Sequence, residues 1–325
     1  MKLLVTGGLG FIGSNFIQKI LHEESEIKII NMDAKLIGSN SENLSGIKNN
    51  KNYEFVKGNI VNKNSIEKLV KKVDVVINFA AETHVDRSIV NPELFLKSNL
   101  LGVYTILESV KKFKKKLIQI STDEVFGSLK TESANEEFSF NTSNPYSASK
   151  GSAELLINSY IKTFDCDVNI TRCTNNFGPR QSPEKLIPKV ISLAEKNQKI
   201  PIYGSGKNIR DWIFVMDHCD AILKVMLNGK RGESYNISAS NEINNLKIIK
   251  MILKLMDKPV DLIQHTKDRP GHDFRYSLDS SKIQKKLKWK SKYNFEKGLI
   301  ETITWYKKNK KWNKNMSSEL LKEYR

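Results

Sequence analysis

The sequence predicts a two-lobed α/β protein, a doubly wound parallel sheet with a smaller α/β lobe, and three observations carry that expectation. Short β-rich apolar runs alternate with longer amphipathic stretches through the first half of the chain. A glycine-rich segment separates the first run from the first amphipathic stretch. The length, 325 residues, holds about two domains at roughly 150 residues each. Strands that alternate with helices form parallel sheets covered on both faces, because each crossover lays a helix over the sheet.

Along the chain, residues 3–5 read as a strand, 11–21 as a helix and 27–32 as a second strand, a βαβ opening. The alternation continues with a strand at 53–56, a helix at 65–72, a buried strand at 73–79, a helix at 91–112 and a strand at 117–121. Residues 146–164 are helical again, and 167–172 give a further strand. Beyond this, loops rich in Gly, Asn and Pro around 175–188 and 203–212 separate helices at 185–196 and 217–227. No internal repeat and no flexible linker interrupts the chain, so the second lobe is expected to be built against the first. The boundary falls near 174, with some later segments returning to the first domain.

Composition narrows the class. With 39% hydrophobic residues, 17 Gly and 8 Pro, the chain is neither collagenous nor disordered. The opening Met1-Lys2-Leu3-Leu4-Val5-Thr6 runs straight into glycines, too short an apolar stretch for a signal peptide, and no later segment reaches the roughly 20 apolar residues of a membrane span. A cytoplasmic protein without membrane partners is expected. Cys166, Cys173 and Cys219 are odd in number and widely spaced, which suits reduced core residues, and no metal site is expected from their spacing. Fifty-three basic against 36 acidic residues leave a net charge of +17, concentrated in Lys111-Lys112-Phe113-Lys114-Lys115-Lys116 and near the C-terminus in Lys307-Lys308-Asn309-Lys310-Lys311-Trp312. Basic residues interleaved with aromatics can bind single-stranded nucleic acid, but a solvated Lys-rich surface explains them more simply, so nucleic acid is not the expected partner.

Gly7-Gly8-Leu9-Gly10-Phe11-Ile12-Gly13 follows a strand and opens a helix. Glycines there permit a tight turn and close approach to a pyrophosphate, and the unpaired amides at the helix start attract its charge. Asp33 ends the second strand, 20 residues after Gly13, where a carboxylate binds both ribose hydroxyls and repels the extra phosphate of NADP. The expected cofactor is therefore NAD. The two-residue spacing of Gly7, Gly10 and Gly13 resembles the extended short-chain dehydrogenase/reductase family.

That resemblance is testable within the chain. Tyr146-Ser147-Ala148-Ser149-Lys150 places Tyr146 and Lys150 four residues apart, on one face of a helix. A lysine cation and a positively charged nicotinamide favour a phenolate, which makes Tyr146 a candidate base. Together with Ser121-Thr122 upstream, the arrangement is similar to the family's Thr/Tyr/Lys site.

Epimerases, decarboxylases, dehydratases and reductases of this kind all begin by oxidising a hydroxyl, so the family leaves the reaction open. Asp123-Glu124, next in Ser121-Thr122-Asp123-Glu124-Val125-Phe126-Gly127, supplies two carboxyls at the carboxyl end of a parallel strand, where ligands bind. Eliminating water needs a base for the carbon proton and an acid for the departing hydroxyl, and adjacent carboxyls divide those tasks if their environments separate their pKa values. The segments 80–88, 172–179, 183–188 and 268–273 each resemble the corresponding segments of dTDP-glucose 4,6-dehydratases, in order, over roughly residues 1–290.

The resemblance implies a division of labour. Tyr146 and Thr122 act on the sugar's 4-hydroxyl, Lys150 supports Tyr146, Glu124 takes the carbon-5 proton and Asp123 protonates the leaving 6-hydroxyl. NAD stays tightly bound and is regenerated at each turnover. Gly7, Gly10, Phe11, Ile12, Gly13, Asp33, Ala34, Lys35, Asn59, Ile60, Ala80, Ala81, Ser98, Tyr146, Lys150 and Asn176 are then the cofactor contacts. Thr83, His84, Thr122, Asn175, Lys185, Leu186, Pro201, Ile202, Tyr203, Arg210, Asn241, Arg269 and His272 are the substrate contacts, with Tyr203 offering an aromatic face to the base. Residues 1–174 form the NAD-binding domain and 175–325 mainly the nucleotide-sugar lobe, with dTDP-glucose as substrate. The resemblance also implies a homodimer, formed by the helices at 91–112 and 147–164. Three stretches depart from the family pattern: Asn59 replaces an Asp, Ala34-Lys35-Leu36-Ile37 replaces Lys-Leu-Thr-Tyr, and Phe126 replaces a tyrosine. Other NAD-dependent nucleotide-sugar enzymes, such as a UDP-glucuronate decarboxylase, a 4-epimerase or a CDP- or UDP-glucose 4,6-dehydratase, and an NAD-sensing regulator that binds nucleic acid, are the alternatives.

Overall fold

The computed structural model describes residues 1–268 and 273–323. The first half is β1 (Lys2–Thr6), α1 (Phe11–Glu23), β2 (Lys28–Asp33), β3 (Tyr53–Lys57), α2 (Lys63–Val70), β4 (Val75–Asn78), α3 (Val85–Val90), α4 (Pro92–Phe95), α5 (Gly102–Phe113), β5 (Lys116–Thr122), α6 (Pro145–Phe164) and β6 (Val168–Cys173). The second half adds β7 (Asn175–Phe177), α7 (Leu186–Glu195), β8 (Ile200–Tyr203), β9 (Ile209–Phe214), α8 (Val215–Asn228), β10 (Ser234–Ile237), β11 (Glu242–Asn244), α9 (Asn245–Leu255), β12 (Ile263–Thr266), α10 (Ser281–Leu287), α11 (Phe295–Lys308) and α12 (Lys310–Glu323).

The strands of the first half pair in parallel, and β10 returns from the second half to complete a seven-stranded sheet in the order β10-β6-β5-β4-β1-β2-β3. The chain reverses direction across the sheet between β1 and β4, the switch point at which parallel sheets bind ligands beyond their carboxyl ends. Both faces are covered, as the apolar runs require. Phe16, Ile17 and Ile20 of α1 and Ile222 and Val225 of α8 pack on one side. Ile66 of α2, Ile106 and Leu107 of α5 and Ile157 of α6 pack on the other.

The helix expected at 91–112 is present as α4, a π-helical turn at Leu96–Leu101, and α5. One wide turn within a continuous helix leaves no periodicity signal in sequence, and such turns cluster at functional sites. The greater departure is in the second lobe, where the loops expected around 175–188 and 203–212 carry β7 and β9. Together with β11 they form a three-stranded mixed sheet in the order β11-β9-β7. β7 has three residues and β9 interrupts its apolar run with buried Arg210 and Asp211, so neither shows strand alternation. A separate parallel pair, β8 and β12, flanks this sheet. The lobe's core is aromatic, with Phe177 between Trp212, Phe214 and Phe295 at ring distances of 4.9–6.2 Å.

Candidate active site

The turn after β1 is shaped by its glycines. Gly7 has φ +70°, and a Cβ there would lie 2.5 Å from the backbone nitrogen of Ala80; a Cβ on Gly13 would lie 2.6 Å from the Gly7 carbonyl. Side chains would therefore fill the groove between β1 and β4. α1 begins at Gly10 without any side-chain cap, so its first amides face the groove. Asp33, 5% exposed at the end of β2, accepts hydrogen bonds from Leu9 N (3.0 Å), Lys35 N (2.8 Å) and Ser39 Oγ (2.8 Å). A carboxylate has about four lone-pair positions, so it retains capacity for a ribose hydroxyl. Glycine cradle, uncapped helix and terminal acid are a donor and acceptor set that fits a dinucleotide.

β5 delivers the second group. Thr122 is its last residue; its Oγ1 caps the short helical turn Asp123–Phe126 by accepting from Glu124 N (3.2 Å), and it donates to Asp123 Oδ1 (3.1 Å). α6 starts abruptly at Pro145, because Asn144 and Ser147 form a reciprocal capping box (Ser147 N to Asn144 Oδ1, 2.9 Å; Asn144 N to Ser147 Oγ, 3.3 Å). Tyr146 therefore occupies the first turn. Its hydroxyl is hydrogen-bonded by Thr122, its ring rests against Phe95 (6.3 Å), and Lys150 one turn later donates to the Ile120 carbonyl (2.6 Å).

The environments of these groups differ. Burial, then the neighbouring charge of Glu124, pushes the Asp123 carboxyl up to about 8, so it is protonated at neutral pH; its Oδ2 is buried without a hydrogen-bond partner. Burial brings Lys150 down to about 8, and Glu154 opposes that shift. Tyr146 is held well above the ordinary phenol value by burial and by Glu124, against the hydrogen bond from Thr122. One carboxyl of the Asp123-Glu124 pair is thus held toward its protonated form, the state from which a carboxyl can donate a proton.

Two supporting groups went unrecognised in the sequence. Glu154, two turns after Tyr146 on the same helix face, is fully buried; it accepts from Ser121 Oγ (2.5 Å) and forms an ion pair with Arg172 (2.7 Å), joining α6 to β5 and β6 just below Thr122. Arg172 also stacks between Phe126 and Phe140. Asn99, in the π turn, clamps the loop after β4: it accepts from Glu82 N (2.9 Å) and donates to Glu82 O (3.0 Å) and Ser149 Oγ (2.9 Å). A buried amide amid apolar helix positions was the available signal.

A single cleft gathers most of the expected residues. Gly7, Gly10, Phe11, Ile12, Gly13, Asp33, Ala34, Asn59, Ile60, Ala80, Ala81 and Ser98 line one end; Thr83, His84, Thr122, Asp123, Glu124, Tyr146, Lys150, Asn175, Asn176 and Lys185 line the other. His84 is brought down to about 4 by burial and by Lys185, and is neutral. Asn176 Oδ1 faces His218 Nδ1 (2.9 Å); burial lowers His218 to about 3, so the ring is neutral and carries its proton on Nδ1. Asn59 keeps an acceptor in place of the usual acid, and that oxygen takes Val61 N (3.1 Å).

Other expected positions lie away from the cleft wall. Lys35 is exposed, with its ammonium over the Phe55 ring (5.0 Å). Leu186 packs on the second lobe's core, Ile202 is 3% exposed within that core, and Pro201 and Tyr203 flank it on β8. Asn241 donates to the Trp212 carbonyl (3.2 Å). Arg210, 6% exposed, donates to the carbonyls of Ile209, Asp273 and Phe274 and stacks on Tyr276, yet its charge reaches Asp123. Arg269 and His272 lie outside the described residues.

The protein is similar to known nucleotide-sugar enzymes over nearly its whole length. The family model described as GDP-mannose 4,6 dehydratase matches residues 4–302. A dTDP-glucose 4,6-dehydratase of Streptomyces niveus is 41% identical over 317 residues, 96% of this chain and 94% of that one. The crystal structure of a dTDP-glucose 4,6-dehydratase from Bacillus anthracis in complex with NAD superposes with a TM-score of 0.92 at 44% identity, covering 97% of this chain and 99% of that one. DesIV, a dTDP-glucose 4,6-dehydratase from Streptomyces venezuelae with NAD bound, gives a TM-score of 0.95 at 36% identity over 97% and 100% of the two chains.

Proposed function

Because the chain belongs to the GDP-mannose 4,6 dehydratase family, we propose that it is an NAD-dependent dTDP-glucose 4,6-dehydratase, a hydro-lyase that makes dTDP-4-keto-6-deoxyglucose. The observation that carries this reading is the buried Asp123, its Oδ2 unpartnered, beside Glu124 at the end of the strand that also presents Thr122 to Tyr146.

The glycine loop, the first amides of α1 and Asp33 would hold NAD, which when bound would supply the hydride acceptor for carbon 4 and the hydride donor for carbon 6. Thr122 and Tyr146 grip the 4-hydroxyl, and Tyr146 takes its proton. Burial resists the phenolate, so the positive charge of Lys150, and the Thr122 hydroxyl once it turns from Asp123 to the phenol oxygen, must offset it. The resulting 4-ketone acidifies the carbon-5 proton, which Glu124 removes. Asp123 then gives its proton to the departing 6-hydroxyl, which leaves as water, and Glu124 returns its proton to carbon 5 as the hydride reaches carbon 6. Thr83, His84, Asn175 and Lys185 on the cleft wall form the nucleotide-sugar site, with the exposed ring of Tyr203 and the charge of Arg210 on the second lobe as its further reach.

A 4-epimerase or decarboxylase needs no acid at position 123, which favours dehydration. Residues 1–174, with later segments returning, hold the cofactor, and 175–325 mainly hold the sugar nucleotide. Exposed Ile89, Val90, Leu94, Leu101, Leu155 and Phe164 on α3 to α6 support a homodimer through these helices. Three buried free cysteines suit the reducing cytoplasm, and among the described residues no helix is long and apolar enough to cross a membrane. Burial of Trp312 argues against an aromatic nucleic-acid surface at the basic C-terminal segment.

A product scan tests the reading. With dTDP-glucose the purified protein is expected to form a 4-keto-6-deoxy sugar lighter by one water. Turnover of only UDP- or CDP-sugars would overturn the base assignment, and an isomerised sugar of unchanged mass would overturn the reaction.

A further inference from the structure

The segment Lys307-Lys308-Asn309-Lys310-Lys311-Trp312 lies beyond the family match, which ends at residue 302. α11 ends at Asn309, and α12 turns Trp312 inward, 6% exposed, with its ring edge-on to Trp305 (4.9 Å). Packing alone would satisfy that ring. Its single N–H, however, donates to Asn43 Oδ1 (2.8 Å), from 269 residues away. Asn43, 5% exposed, uses its amide nitrogen to donate to the Leu9 carbonyl in the glycine loop (2.8 Å), while its own carbonyl accepts from Gln18 (2.7 Å). Leu9 N in turn donates to Asp33 (3.0 Å). Asn43 thus stands between the C-terminal helix and the turn that cradles the cofactor, just after the Leu36–Ser39 stretch that walls the cleft beside Asp33.

We propose that Trp312, acting through Asn43, is a positioning residue that holds the glycine loop and the 34–43 segment closed around the dinucleotide and slows its release. The proposal rests on the reading of this cleft as the NAD site. Its logic is that a cofactor which takes and returns a hydride within one turnover must not leave between the two transfers. The segment's own bonds, Ser39 Oγ to Asp33 and Asn40 N to the Leu9 carbonyl, close it locally, and the Trp312–Asn43 bond adds a buried anchor on an element far away in sequence.

The test measures NAD release from purified holoprotein after dilution into an NAD-consuming trap. Trp312→Phe keeps an aromatic ring, smaller than the indole, and removes the N–H; Asn313→Ala removes a different anchor of α12, its bond to Ser192 (2.7 Å). Trp312→Phe is expected to release NAD about tenfold faster, the scale of one buried hydrogen bond. Asn313→Ala should stay near the wild-type rate. Should Trp312→Phe fail to fold, Asn43→Asp, which loses the donor to Leu9 and keeps the acceptor for the indole, carries the same expectation. An unchanged rate in these variants, or equal acceleration by Asn313→Ala, overturns the proposal, as does a Trp312→Phe protein that only melts earlier when stripped of NAD. Wild-type protein that binds no NAD at all would instead overturn the cofactor reading on which the proposal rests.

Discussion

Asp123 shows how a single side chain trades stability for chemistry. Its folded value, about 8, lies above that of an unfolded aspartate, about 3.9. The folded state therefore keeps a proton that the unfolded chain has released, and stability declines as pH rises between those values. Asp123→Asn is neutral at every pH, so it should raise stability at pH 7 by roughly 1–3 kcal/mol in denaturant unfolding, while slowing product formation at least about a hundredfold. A less stable variant would show that the carboxyl is not held protonated. The wild-type rate should fall above about pH 8, where Asp123 loses its proton and Lys150 its charge. Glu154 contributes structure instead. Glu154→Gln strands Arg172 in the interior and should cost about 3–5 kcal/mol, whereas Glu154→Leu with Arg172→Met should recover most of it, as urea unfolding of the two would reveal.

The proposed catalytic set is borne on few elements, and that explains what was legible beforehand. The glycine turn, the Tyr146/Lys150 pair and the Asp123-Glu124 dipeptide each lie within one local segment, so their spacing speaks directly. Asn99, Glu154 and Asn43 do not: each acts on a partner 17 or more residues away, through pairings that only the folded sheet creates. β7 and β9 escaped notice for a related reason, since three residues are too few to alternate and buried Arg210 and Asp211 break the pattern of β9. Element starts are themselves functional here. Asn144→Ala removes the cap of α6 and should cost about 1 kcal/mol in thermal or denaturant unfolding, with a larger loss of rate than of NAD binding, because Tyr146 occupies that first turn. Gly7→Ala forces a Cβ onto the Ala80 backbone at φ +70°, so purified protein should lose its bound NAD. Retention of NAD by that variant would contradict the cradle.

At the scale of the whole molecule, two cores meet at one cleft: the doubly wound sheet brings the cofactor groups and β5, and the aromatic lobe closes the far side. α8 and β10 return to the first core, so the lobes interleave and are not strung apart. If the exposed apolar faces of α3 to α6 join two copies, Leu101→Asp with Leu155→Asp should sediment as a monomer that still carries NAD. Persistence of the dimer would place the interface elsewhere. The proposed dehydration requires that hydride leave carbon 4 and return to carbon 6 within one bound sugar while water departs. Incubation with dTDP-glucose deuterated at carbon 4 tests it directly: the label should reappear at carbon 6 of a 4-keto-6-deoxy product within the same molecule. Label lost to solvent, or retained at carbon 4 of a sugar that has kept its water, would contradict it.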